Sequence, residues 1–208
     1  MNAFSENLGD NAIFGVAPDA ALMADDVIIP IQTHSCNVKI VGASPDISEL
    51  EDTDALITLR PGVRIGVRTA DCVPVVIYAP DINAVAAVHA GWKGSLGGIV
   101  GNTLGHLVRL GARPENMHAA FGPSICGQCY EVSQDLADSF VAAGFAGAVI
   151  GQRHVSLELV NTMRLQRAGV PLAAIRAALC CTLETPSYPS WRRNPTSRRL
   201  LTWIQLLG

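Results

Sequence analysis

Residues 69–92 read TADCVPVVIYAPDINAVAAVHAGW, two apolar runs of strand length separated by a turn. The runs at 73–78 and 84–89 are rich in Val, Ile and Ala and lack polar alternation, the pattern of strands covered on both faces. Asp81, Ile82 and Asn83 between them have turn chemistry. So short a connection favours antiparallel neighbours. Cys72, just before the first strand, and His89, at the end of the second, then arrive at the same end of one sheet. Pro74 removes a ladder donor and predicts an edge strand or a bulge.

Further strands are expected at 27–31, 55–58 and 64–68, where short branched apolar runs recur, and a weaker one at 200–207. Helices are expected from the glycine-rich start at 91 to about 110, where Gly111 ends the pattern, and over 136–143 behind a Ser133 or Asp135 cap. Two more are expected at 157–168 and at 171–178, the latter opened by Pro171. Strands and helices in no strict β-α-β alternation predict an α+β layered fold rather than a doubly wound sheet. No long linker, low-complexity tract or evident repeat interrupts the chain, so residues 1–208 read as one domain.

Of the 208 residues, 49% are hydrophobic and 16% charged, enough apolar surface for a packed core. A net charge of −3 gives no general attraction to nucleic acid or an anionic membrane, so small-molecule chemistry is favoured. The basic group Arg192, Arg193, Arg198 and Arg199 suits either a phosphate or a solvated surface loop. No apolar stretch approaches the roughly 20 residues of a spanning helix, and the first residues, MNAFSENLGDNA, lack a secretory pattern; cytoplasm is the expectation. Six cysteines at 36, 72, 126, 129, 180 and 181 do not resemble a secreted disulfide framework.

A Cys–His pair supports two chemistries, both needing the thiolate. If His89 deprotonates Cys72, the site is a thiol hydrolase or deamidase. If both face a metal with a third ligand, the site is like catalytic zinc centres, which leave one position open. His34, in Gln32-Thr33-His34-Ser35, is the third candidate. Cys126 and Cys129 form a C-x-x-C that alone would suggest redox chemistry or metal binding, but packing is the reading adopted here, as it is for Cys180 and Cys181.

The motifs QTHS, TADCVP, AVHAGWKG, FGPSICGQCYEV, CCT and YPSWRR, spread over residues of about 30 to 205, occur in the order in which they occur in the YfiH-type family. This family is also called laccase-domain or multicopper polyphenol oxidase-like proteins and, more recently, purine nucleoside phosphorylases. The chain resembles it closely. The resemblance implies an αββα layered fold with mixed sheets and zinc held by His34, Cys72 and His89. It also implies phosphorolysis of adenosine, inosine and methylthioadenosine, deamination of adenosine, and a phenol-oxidising activity with copper. Zinc suits deamination, because it lowers the pKa of a bound water towards 7 for attack at purine C6. Asp71 is the nearest proton-transfer group, or else the carboxylate that orients a ligand histidine. Phosphate would be held by Arg68, Lys93, Arg192 or the backbone of the 91–94 turn. Trp92 would stack on a purine.

The sequence also departs from the family. Lys93 stands where arginine is usual, Ser156 where an aspartate is usual with Glu158 two residues on, and Ser197 where glycine is usual. The part before Gln32 is shorter than in many relatives, which predicts a more open site or completion by a partner subunit. Copper oxidation as the main activity fits poorly: only five histidines exist, and His106, His118 and His154 show no clustering with the other two. The remaining alternative is a module that binds or edits, for instance acting on cell-wall precursors. A monomer or homodimer acting on a nucleoside and phosphate, with no nucleic-acid or membrane partner, completes the expectation.

Overall fold

The computed structural model describes residues 4–18, 27–178 and 180–208. In chain order its first elements are β1 (Phe4–Asn7), β2 (Ala12–Pro18), β3 (Val38–Ile40), α1 (Ile47–Leu50), β4 (Ala55–Thr58), β5 (Arg64–Thr69), β6 (Val73–Ala79) and β7 (Ala84–Ala90). Then come α2 (Trp92–Gly97), α3 (Ile99–Arg109), β8 (His118–Phe121), α4 (Gln134–Ala142), β9 (Val149–Ile150), β10 (His154–Val155), α5 (Leu157–Arg167), β11 (Ile175–Arg176) and β12 (Leu200–Leu206).

Among the described residues, one mixed sheet has the strand order β11-β8-β6-β7-β4-β3, and an antiparallel sheet has the order β1-β2-β12-β5. The apolar runs are continuous because successive residues of β6 and β7 serve different cores. Val75, Ile77, Ala86 and Val88 pack with Leu104, Leu107, Phe140 and Leu165 of the helices. Val76, Tyr78, Val85 and Ala87, on the opposite face, pack with Phe14, Ile65, Val67 and Ile204 of the second sheet. Each such Val, Leu or Ile contributes about 1.5–3 kcal/mol of burial. The result is an α+β fold with helices, large sheet and small sheet in successive layers. Val27, Leu201 and Trp203 form a minor cluster with Ile13 and Ile29, and the Arg64 guanidinium lies 4.3 Å from the Trp203 ring.

Several elements differ from expectation for identifiable reasons. Pro74 sits in a central strand, between β7 and β8, not at an edge. It is tolerated because β8 pairing begins only at Val75, while the Pro74 carbonyl still accepts from Gly122 N at 3.0 Å. The helix expected over 91–110 breaks into α2 and α3 at Gly98, whose φ of 97° suits glycine. Residues 171–178 are not helical: a 3-10 turn at Leu172–Ala174 leads into β11, which pairs parallel with β8. Leu172 is 60% exposed, so a helix there would have had no apolar face to bury. Segment 27–31 makes only a bridge, Ile28 with Ile65, rather than a full strand. Residues 200–207, by contrast, do supply a strand, β12, between β2 and β5. No described helix is long and apolar enough to cross a membrane.

Candidate metal centre

The β6–β7 register pairs Val73 with Ala90 and so brings Cys72 beside His89 at one end of the large sheet. His34 reaches the same point from the loop before β3. The three ligand atoms lie within 4.8 Å of one another, with Cys72 Sγ 3.9 Å from His34 Nε2 and the two imidazoles edge to face at 4.8 Å between centroids. Zinc with bonds of about 2.0–2.3 Å sets tetrahedral donors roughly 3.3–3.7 Å apart, so the set would close by up to about 1.4 Å, within side-chain reach. Gly91 makes the approach possible: a Cβ there would lie 2.9 Å from His34 Cδ2 and 3.1 Å from Cys72 Sγ.

Asp54 holds this constellation. It is fully buried just before β4, and its carboxylate accepts the backbone N–H groups of Thr33, His34 and Ser35 at 3.1, 3.1 and 2.7 Å. It also accepts the Ser35 hydroxyl and lies 2.6 Å from His89 Nδ1. One carboxylate therefore fixes the His34 loop, including the left-handed φ of 63° at His34 itself, and orients the second histidine. With Nδ1–H given to Asp54, Nε2 of His89 is the atom left to face Cys72 and His34.

The electrostatics agree with an anion-and-imidazole cluster. Burial alone would raise the Asp54 carboxyl, yet His89 and the surrounding N–H donors bring it down to about 2. Burial would also raise the Cys72 thiol, but His34 and His89 hold it at about 6. Burial opposes a charged His89, and Asp54 with Cys72 overcomes this, lifting it to about 9. Cys72 and His89 thus pull each other towards their charged forms, the thiol down and the imidazole up, with Asp54 as the anion behind them.

A cleft of about 860 Å³ opens over the three residues, within the range of small-ligand sites. Trp92, Tyr130 and Trp191 line it, as do Arg68, Arg192 and Arg199. Arg192 lies 4.7 Å over the Tyr130 ring and donates to the Glu131 carbonyl at 2.7 Å. Asp71, 6% exposed with φ 83°, accepts from Thr182 Oγ1 at 2.6 Å and from Arg192 N at 2.8 Å.

The chain matches the family described as multi-copper polyphenol oxidoreductase laccase over residues 15–207. It belongs to the YfiH-type family. An "Adenosine deaminase RL5" from an unknown prokaryotic organism is 36% identical to this YfiH-type chain over 92% of its residues and 83% of the relative. A purine nucleoside phosphorylase of Deinococcus radiodurans is 40% identical over 82% of the chain and 66% of the relative. The crystal structure of the Bacillus licheniformis hypothetical protein YfiH superposes with a TM-score of 0.81 at 30% identity, covering 88% of this chain and 75% of that one. YlmD from Geobacillus stearothermophilus shares the fold, with a TM-score of 0.79 at 22% identity over 95% and 92% of the two chains.

In this YfiH-type chain His34, Cys72 and His89 lie together, with Arg68, Trp92, Asp71 and Arg192 around the cleft above them. Lys93 does not line the cleft; its ammonium stands 5.6 Å over the Trp92 ring. The carboxylate that orients a histidine is Asp54, which the sequence reading missed, rather than Asp71, which pins Thr182 and the Arg192 backbone. At the position where the family usually has aspartate, Ser156 caps α5 by accepting Leu159 N, and Glu158 accepts Ala178 N. Of the basic group, Arg199 joins Arg192 at the cleft, whereas Arg193 turns back to the carbonyls of Thr182, Leu183, Thr185 and Tyr188.

Proposed function

We propose that this protein is a zinc-dependent purine nucleoside enzyme that phosphorolyses adenosine, inosine and methylthioadenosine and deaminates adenosine. The observation that carries the reading is the convergence of a two-histidine, one-cysteine ligand set and three arginines on one cleft of nucleoside size. Relatives named adenosine deaminase and purine nucleoside phosphorylase support it.

His34, Cys72 and His89 would hold the ion, and Asp54 would keep His89 as the correct tautomer. When bound, the metal supplies Lewis acidity and a water activated at neutral pH. Arg68, Arg192 and Arg199 hold phosphate beside the ribose, with Arg192 set in place by Asp71 and Tyr130. Trp92 stacks on the base from the cleft wall. Asp71 is the nearest carboxylate in sequence for moving a proton. Zinc is favoured over redox copper because copper oxidation would need further ligands, and His106, His118 and His154 do not line the cleft. The setting is cytoplasmic, with the protein a monomer or homodimer acting on small molecules.

One observation favours a second reading. Asp54, His89 and Cys72 also form the orienter, base and nucleophile order of a thiol hydrolase or deamidase. The product test for the main reading uses adenosine with and without phosphate, followed by chromatography. Adenine and ribose 1-phosphate are expected only with phosphate, and inosine in both cases. Adenosine left intact under both conditions would contradict it.

A further inference from the structure

A second cluster lies outside the three-residue centre. Cys126, Cys129, Cys181 and Glu184 bring three sulfurs and a carboxylate within 4.8 Å of one another. The sequence reading assigned these cysteines to packing, because they fall in motifs that resemble the family's and lie outside its metal triad. The fold joins them through two turns of matching construction. In Cys126-Gly127-Gln128-Cys129 the Cys126 carbonyl accepts Cys129 N and Tyr130 N at 3.1 and 3.0 Å. In Cys181-Thr182-Leu183-Glu184 the Cys181 carbonyl accepts Thr185 N at 3.0 Å. A parallel bridge of Ser124 with Cys181, reinforced by Thr182 N to Ser124 O at 2.9 Å, sets the turns side by side.

Each turn thus presents its first and fourth side chains towards the other. A backbone donor meets one of the sulfurs, with Cys126 N 3.3 Å from Cys181 Sγ, and the neighbouring amides of Leu183 and Glu184 add to the pull that lowers its thiol. Amides aimed at sulfur stabilise thiolate ligands. Arg193 clamps the second turn from its carbonyl side, donating to the carbonyls of Thr182, Leu183 and Thr185 and so fixing the turn's shape. All three cysteines are free and half-buried.

We propose that Cys126, Cys129, Cys181 and Glu184 form a second, structural metal site for a thiophilic divalent cation of the zinc type. Three sulfurs and one oxygen fill a tetrahedral shell, leaving no open position, which is the mark of a structural rather than a catalytic ion. The ion would lock residues 181–193 against the 124–130 segment. That lock matters to the cleft: Thr182 donates to Asp71, and Arg192, ten residues on, also bonds it. The proposal is independent of what the cleft binds.

The test is metal content, combined with cobalt substitution, on Cys72→Ala protein prepared under reducing conditions. This variant removes a donor from the first centre only. About one firmly held ion per chain is expected, with a sulfur-to-cobalt absorption band that disappears in Cys72→Ala/Cys129→Ser. Glu184→Gln alters an exposed residue and so tests the site without disturbing the core. In wild-type background it is expected to weaken retention of the second ion at least about tenfold in chelator competition. A Cys72→Ala protein that takes up no cobalt into thiolate ligation would overturn the proposal. So would a disulfide linking Cys126 to Cys129 or Cys181 in protein isolated without reductant from the cytoplasm, or retention unchanged by Glu184→Gln.

Discussion

Asp54→Asn is expected to cost the first centre about 10- to 100-fold in metal affinity and the protein about 2 kcal/mol or more in stability. Both effects follow from the number of donors converging on this one carboxylate. It accepts three consecutive backbone N–H groups and the Ser35 hydroxyl, and it holds His89 Nδ1 at 2.6 Å. An asparagine amide offers one acceptor and turns N–H groups towards donors that need an acceptor. The site is fully buried, so water cannot replace what is lost. His34, at φ 63°, would lose the Asp54 bonds that hold its own N–H and those of its two neighbours in this backbone position. Chelator competition and thermal unfolding on the same samples check the two effects. A variant with wild-type affinity would mean that His89 needs no orienter.

Cys72→Ala is the second large effect. Cys72 is the only sulfur in the three-residue set, and His34 and His89 pull its thiol down to about 6 against burial, which favours the thiolate form that a metal binds. Removing it leaves two neutral-donor histidines, one of them exposed, to hold a divalent ion. Loss of one metal equivalent relative to wild type is expected, with adenosine turnover reduced by about a thousandfold or more, some 4 kcal/mol of barrier. Metal analysis and a steady-state assay check this; turnover that survives without Cys72 would remove the residue from the chemistry.

The pairing of Cys72 with His89 was legible because two strand-length apolar runs and a short turn leave few other geometries. His34 was legible as a candidate, though spacing alone gave no contact between it and the strands. Asp54 was not legible. It lies in Glu51-Asp52-Thr53-Asp54, an acidic run that reads as a solvated loop, and it is buried only because residues 33–35 fold onto it. The second metal cluster was hidden in the same way, since Cys126 and Cys181 meet through a bridge between segments 55 residues apart. In the fold, β2 was obscured by Gly15 and Pro18, which resemble punctuation. Gly15 is in fact a packing requirement, for a Cβ there would lie 2.7 Å from the Trp203 ring. Lys93 was read as a phosphate candidate, and its ammonium lies 5.6 Å over the ring of Trp92, which lines the cleft.

The most direct test of the central claim is a zinc titration of chelated wild-type protein, read as adenosine turnover in phosphate across pH. The apoprotein is expected to be inactive and to regain activity with zinc. Zinc must displace the His89 proton, which is held up to about 9, and below about 6 the Cys72 proton as well. The half-restoring zinc concentration should therefore rise about tenfold per pH unit lowered from 9 to 6, and more steeply beneath. A chelated protein that keeps its turnover, and loses it only when Cys72 is alkylated, would contradict the metal reading and leave the Asp54–His89–Cys72 hydrolase in its place.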